Sequence, residues 1–398
     1  VRPLALSAAT ASSSLGLGLP AHRAALAAGR SGLAPCRFET AALETFVGEI
    51  AGLDAVRLPP ALAAFDCRNN RAAELALGQD GFEDAVRATV ARHGRDRVGV
   101  FLGTSTAGIL QTELAYRRRD PRDGSLPADF DYRRTHNTFS VAEYLRLRLG
   151  LEGPCAALST ACSSSAKSFA SAARLIAAGA IDAAVVGGVD TLCLTTLYGF
   201  GSLDLLSRAP CRPYDVERDG ISIGEAAAFF LLERAAPGDE RIALLGTGES
   251  SDAWHMSAPH PEGRGARMAM AEALRSAALL PEDIDYVNLH GTGTKSNDAA
   301  EDVAVTALFG DRVPCNSTKG MTGHALGAAG ALEAAIALLC IREGLVPPGI
   351  GTRQVDPELR ARYELAGGAR PVERVLSNSF GFGGSNCSLV FGRPEREP

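Results

Sequence analysis

The sequence predicts an α/β fold built from two similar halves. Apolar runs of strand length alternate with Ala-rich helical runs, the order expected of parallel strands joined by helices. The same order starts again after Ala235-Ala236-Pro237-Gly238-Asp239, which suggests a duplicated unit. With 398 residues, 46% hydrophobic content and near-zero mean hydropathy, the chain carries enough apolar material for a large core.

Val1 to Leu6 is apolar but soon turns Ser- and Gly-rich, and it reads as a first strand and turn rather than a signal peptide. Arg97 to Gly103 is a short apolar run closing on Gly, as in a buried strand. Residues 120 to 137 are polar and rich in Arg, an excursion over the surface. Cys162 then precedes the helical run Ala166 to Ala178, and Ala183 to Val189 reads as the next core strand. The order is strand, cysteine, helix, strand. In the second half, Arg241 to Gly246 reads as a strand, Arg264 to Leu279 as a helix, Tyr286 to Leu289 as a strand and Ala325 to Arg342 as a helix. The expected halves are residues 1–237 and 238–398.

Composition excludes several classes. A net charge of −6 gives no reason to expect nucleic acid. No run approaches the roughly 18 apolar residues of a membrane span. Nine cysteines occur without a CxxC pair or a metal-like Cys/His spacing, so neither a disulfide framework nor a metal is expected. A reducing compartment follows, with the cytoplasm as the default.

Cys162 lies in Ser159-Thr160-Ala161-Cys162-Ser163-Ser164-Ser165, where a helix N-terminus would favour the thiolate, the form that attacks acyl carbonyls. His290 lies in Asn288-Leu289-His290-Gly291-Thr292-Gly293-Thr294, a turn whose glycines admit a ligand and whose threonines offer hydroxyls. His324 lies in Ser317-Thr318-Lys319-Gly320-Met321-Thr322-Gly323-His324, just before an apolar helix, a place that favours a neutral imidazole. Any one of these, alone, reads as an ordinary core or turn residue. Together they fall at strand-to-helix and strand-to-turn junctions, where α/β folds assemble sites. The last segment, Ser377-Asn378-Ser379-Phe380-Gly381-Phe382-Gly383-Gly384-Ser385-Asn386, reads as a loop whose backbone N–H groups could face an oxyanion, before a strand from Cys387 to Phe391.

These four segments, with Arg212-Pro213-Tyr214-Asp215, Glu217-Arg218-Asp219-Gly220 and Gly327-Ala328-Ala329-Gly330, resemble the β-ketoacyl-acyl carrier protein synthases I and II. The resemblance runs from residue 1 to about 392. It implies the thiolase-like fold, a layered αβαβα unit of two similar halves that usually forms a homodimer. It also implies elongation of an acyl chain by decarboxylative condensation with a malonyl thioester, both carried on the phosphopantetheine of acyl carrier protein, with no other cofactor.

Residue by residue, the resemblance assigns Cys162 as nucleophile, His290 and His324 as the histidine pair and Lys319 as their supporting lysine, with Glu333 as the nearby carboxylate. Backbone N–H groups of Cys162 and Phe382 would hold the oxyanion. Thr292 and Thr294 would bind pantetheine amides, Phe382 would gate the acyl tunnel, and Phe380, Ile221 and Thr106 complete the substrate-binding set. Chalcone-synthase-like and initiating enzymes carry Asn in place of the second histidine, so His324 argues for the elongating class. The retained Cys162, His290, His324 and Lys319 argue against a non-catalytic subunit, and thiolases lack this motif pairing.

Two departures bear on the acyl pocket. Ile221 stands where relatives usually carry an aromatic, and Arg133-Arg134-Thr135-His136-Asn137-Thr138 is more polar than the family's version, which commonly reaches the tunnel end across the dimer. They leave open a specialised polyketide or polyene pathway and a heterodimer with a partner lacking the cysteine. Docking an acidic carrier calls for a basic rim. Arg68, Arg71 and Arg117-Arg118-Arg119 are the candidates, and Asp204 falls where relatives often carry a basic residue.

Overall fold

The computed structural model describes residues 2–236 and 238–394. Pro237, in the expected junction between halves, lies outside the described residues. The first half supplies strands β1 (Leu4–Ser13), β2 (Val98–Gly103), β3 (Cys155–Leu158), β4 (Ala183–Asp190) and β5 (Ala226–Arg234). After the connection come β6 (Ala243–Ser251), β7 (Tyr286–Asn288), β8 (Cys315–Asn316), β9 (Arg374–Gly381) and β10 (Ser385–Gly392).

The spatial orders repeat. The first five strands run β3-β2-β4-β5-β1 and the second five β8-β7-β9-β10-β6. In each set the first three are parallel and the last two pair antiparallel. A short join, Leu4 to Leu244 and Ala5 to Ala243, makes one continuous sheet through β1 and β6. This is the thiolase-like architecture.

Side-chain alternation along the strands sorts residues into layers. Val186 and Phe230 point to the central core and their neighbours Val185 and Phe229 to the outer one. The central layer holds helices α4 (Ser164–Ala177) and α9 (Ala329–Glu343). Residues 329 to 341 of α9 are all buried, which is why that helix is apolar on every side. Outer helices α1 (Arg68–Leu77), α2 (Phe82–His93) and α3 (Ser140–Arg148) cover the first half. Correspondingly, α6 (Arg264–Ala277) and α7 (Lys295–Phe309) cover the second. The layers read α, β, α, β, α.

Two glycines set the height of the site. Gly103 and Gly188 are register partners on β2 and β4, and α4 rests its first turn on both. A Cβ on Gly103 would sit 2.1 Å from Ser165 N, and one on Gly188 would sit 2.6 Å from Ser165 Cβ. Backbone meets backbone there.

Three expectations change. The segment from Ser377 is a strand as far as Gly381, with only Phe382–Gly384 forming a tight turn before β10, because β9 is a core strand between β7 and β10. The helix expected from Ala325 begins at Ala329, after a 3₁₀ turn over Leu326–Ala328. The polar stretch at 133 to 138 is not all surface: Tyr132–His136 is a single π-helical turn with Thr135 buried. No helix among the described residues is long and apolar enough to cross a membrane.

Candidate active site

Cys162 sits between β3 and α4, two residues before the first helical residue. Ala161 before it adopts φ +52°, a left-handed turn costing a non-glycine residue roughly 1–2 kcal/mol and aiming the cysteine into the site. The thiol is buried, and burial pushes it up to about 12, against the Lys319 charge and a backbone hydrogen bond from Phe382, which both pull it down. Burial thus works against the thiolate that a helix N-terminus would favour.

His324 answers that. Its Nε2 lies 3.0 Å from Cys162 Sγ, where an N–H would stabilise negative charge developing on the sulfur. Burial, then the Lys319 charge, holds His324 well below the ordinary histidine value. The same two causes, with His324 third, act on His290. Both rings are neutral at pH 7. They meet edge to face with centroids 5.2 Å apart, and donor atoms of Cys162, His290 and His324 all lie within 4.8 Å of one another. Three soft donors so close could grip a divalent metal ion, but the positive field of Lys319 opposes one.

Main-chain ties fix these side chains. His324 N donates to Ser222 O at 2.7 Å and its carbonyl accepts from Gly224 N at 2.9 Å. Lys319 is 1% exposed, and its ammonium donates to His290 O at 2.5 Å and to Glu333. Burial raises the Glu333 carboxyl to about 7 although Lys319 pulls it down.

Residues that sequence reading missed hold the His290 turn. Glu301 accepts His290 N at 2.8 Å and Gly291 N at 2.7 Å, and burial raises it to about 7. Asp298 accepts Gly293 N at 3.2 Å and Tyr214 N at 2.8 Å. Both stand on α7 one helical turn apart, at 298 and 301, a spacing that could have flagged one buried acidic face.

A cavity opens above the cysteine, lined by Cys162, His290, His324, Thr292, Thr294, Ile221, Phe200, Phe380 and Phe382. Thr292 and Thr294 hydroxyls share a 2.9 Å hydrogen bond at its side. Phe382 is 37% exposed and its ring lies 5.8 Å from that of Phe200. Ile221 is buried in the wall.

Two assigned residues do not fit their expected places. Thr106 is away from the cavity lining; it is 1% exposed and hydrogen-bonds Asp190 and Asn69. Its hydroxyl is used inside the fold. Arg68 is no rim residue: its guanidinium is buried against Glu225, with a further bond to Asp54 and the Phe38 ring beside it. A fully buried carboxylate claims that charge. Arg71 pairs bidentately with Asp66, and Arg117 reaches Thr40 and Glu39 from a more open position. Asp204 is exposed just after α5 (Leu194–Ser202).

Comparison with known proteins agrees with this geometry. Residues 71–237 match the family described as beta-ketoacyl synthase, N-terminal domain, and residues 242–353 match beta-ketoacyl synthase, C-terminal domain. The 3-oxoacyl-acyl-carrier-protein synthase 2 of Vibrio cholerae is 33% identical over 389 residues, covering 93% of this chain and 94% of that protein. The mitochondrial 3-oxoacyl-acyl-carrier-protein synthase of Arabidopsis thaliana is 37% identical over 338 residues, covering 80% and 73%. Among solved structures, a ketosynthase (ApeO) in complex with its chain length factor (ApeC) from Xenorhabdus doucetiae superposes with TM-score 0.90 at 39% identity, covering 99% and 98%. The ishigamide ketosynthase/chain length factor gives 0.88 at 28%, covering 99% and 100%. With the nucleophile-like cysteine, the histidine pair and the repeated strand order in place, this chain belongs to the β-ketoacyl synthase family.

Proposed function

We propose that the chain is an elongating 3-oxoacyl-acyl-carrier-protein synthase, an acyltransferase that condenses a malonyl thioester with an acyl group held on Cys162. The observation that carries this reading is the 3.0 Å contact of His324 Nε2 with Cys162 Sγ beside a second neutral histidine. In the first step the sulfur of Cys162 attacks the acyl thioester, the charge developing on it held by His324 Nε2–H, and the proton that Cys162 gives up passes to the carrier's sulfur. The carbonyl carbon changes sulfurs, and the carrier leaves as its thiol.

A malonyl thioester then enters past Thr292 and Thr294. Its carboxylate leaves as carbon dioxide and the electron pair becomes an enolate, whose oxygen accepts N–H bonds from His290 and His324. Neutral rings suit this task, since they donate without surrendering a proton and their position is set before charge develops. The C2 carbon attacks the acyl carbonyl on Cys162, and the oxyanion rests on backbone N–H of Cys162 and Phe382. Collapse breaks the carbon–sulfur bond, releasing Cys162 as a thiolate that regains its proton from solvent, and a 3-oxoacyl thioester two carbons longer. Lys319 and Glu333 keep His290 and its turn in place.

In this reading the chain divides near residue 237 into a half that carries the nucleophile and a half that carries the histidines and lysine. Its partner is an acyl carrier protein, met on a surface that includes Arg117 and Arg71. The nine cysteines, all free, support a reducing compartment, and we place the chain in the cytoplasm. Phosphopantetheine arrives with the substrates, and no other cofactor is needed. A homodimer is the simplest assembly. A heterodimer with a chain-length partner in a specialised pathway is favoured by the 39% identity to a ketosynthase solved with its chain length factor.

Incubating the purified chain with a panel of acyl carriers and malonyl carrier, with products read by mass spectrometry, tests the reaction and its acyl preference. A 3-oxoacyl carrier two carbons longer than the donor is expected. Unchanged carriers in the presence of each tested partner would overturn the reading.

A further inference from the structure

Asp190 closes β4 at 0% exposure, and six neutral groups converge on its carboxylate. Oδ1 accepts from Thr104 Oγ1 at 2.8 Å, Ser105 N at 2.8 Å, Thr106 N at 2.9 Å and Thr106 Oγ1 at 2.8 Å. Oδ2 accepts from Ser105 Oγ at 2.5 Å, Ser105 N at 3.1 Å and Gly327 N at 2.6 Å. One side chain thus joins the loop leaving β2 to the 3₁₀ turn that follows His324.

Both anchored segments are in unfavourable backbone conformations. Ala107 has φ +39° and Leu326 has φ +48°, left-handed values that persist only where surroundings impose them. The space is closed as well: a Cβ on Gly327 would come 2.8 Å from Asp190 Oδ2. Leu326, 4% exposed, packs in one cluster with Ile221, Leu192, Cys193 and Leu110, and Ile221 of that cluster lines the cavity above Cys162.

We propose that Asp190 is a positioning residue for the condensation, holding the far side of the His324 segment so that the ring stays on Cys162 and setting Leu326 in the apolar wall behind the acyl chain. This rests on the condensing reading above. Residues 222 to 224 hold His324 from one side; Asp190 holds the chain three residues later from the other. The chemistry asks for a carboxylate. An amide here would turn its NH₂ toward Gly327 N or toward Thr106 N, and neither backbone donor can reverse its role.

The test uses the whole chain carrying Asp190→Asn, with Ser105→Ala as a milder companion, each assayed below its own unfolding temperature. Acylation of Cys162 by a short acyl carrier, carbon dioxide release from malonyl carrier, and competition among acyl lengths are measured separately. In Asp190→Asn, carbon dioxide release should fall at least about tenfold while acylation stays within about threefold, because the enolate site depends on His324 placement more than the first attack does. Selectivity among long acyl groups should also relax. Ser105→Ala should shift the same ratio less. A role confined to stability would lower every rate in proportion to the folded fraction and leave the ratio unchanged, and that result overturns the proposal. If Asp190→Asn does not fold, an unchanged ratio in Ser105→Ala overturns it equally. A wild-type chain that releases no carbon dioxide would instead remove the condensing reading itself.

Discussion

The two halves place a third parallel strand before a central helix, and they use that connection differently. From β3 to α4 the chain needs five residues, 159 to 163, and delivers one nucleophile through the strained Ala161. From β8 to α9 it takes twelve, 317 to 328, inserting α8 (Lys319–Thr322) and a 3₁₀ turn and delivering Lys319 and His324. The same scaffold therefore carries a short connection for bond formation and a long one for handling charge. The extra residues bring the ammonium, whose field adds to burial in keeping both histidines neutral.

The largest effect should come from the short connection. Cys162→Ala should abolish the acyl-enzyme and lower condensation by at least about 10³-fold; a persistent acyl mass adduct would break the division of labour. In the long connection, His324→Ala should reduce carbon dioxide release by about 10²–10³-fold, as expected for loss of one preorganised donor. His290→Ala should do likewise. Isotope-labelled malonyl carrier reads both, and unchanged release would remove these rings from that step.

The contrast also has a pH signature. Folding keeps His290 and His324 neutral, whereas the unfolded chain takes up protons below its ordinary value near 6.5. Acidification through that value therefore favours unfolding, and the loss appears as pH falls. Glu301 and Glu333, raised to about 7, act oppositely, since the fold binds their protons more readily. Comparing urea midpoints at pH 7.5 and 5.5 isolates the histidine share: His324→Asn should lose less stability on acidification than wild type. An equal loss in both would show that His324 does not contribute to the acid sensitivity.

The smallest effect belongs to the wall. Ile221→Phe should shift acyl-length preference by about tenfold or more, the scale of a methylene or two in an apolar pocket. A product profile identical to wild type would show that this position does not shape the tunnel.

Much of this was legible beforehand because strand and helix periodicity is local. The runs around Val98–Gly103, Ala183–Asp190 and Arg264–Ala277 announce themselves within a few residues, and Cys162, His290, Lys319 and His324 sit in motifs rich in Gly and hydroxyl residues. Where sequence reading went astray, the deciding contact lay far along the chain. Arg68 looks like a free cation until Glu225 arrives from 157 residues away. Thr106 looks like a pocket hydroxyl until Asp190 claims it across 84. Cys162 reads as a ready thiolate until the fold buries it. Burial is a property of the assembled layers, and no window of sequence displays it.

The seam where α4 rests on Gly103 and Gly188 decides which experiments can see the floor of the site. A scan that trims side chains passes over it in silence, since neither residue has anything left to lose. Only addition will register: a single methyl at Gly103 would lift the helix that starts just after Cys162, and the damage would be recorded in chemistry some distance from the change.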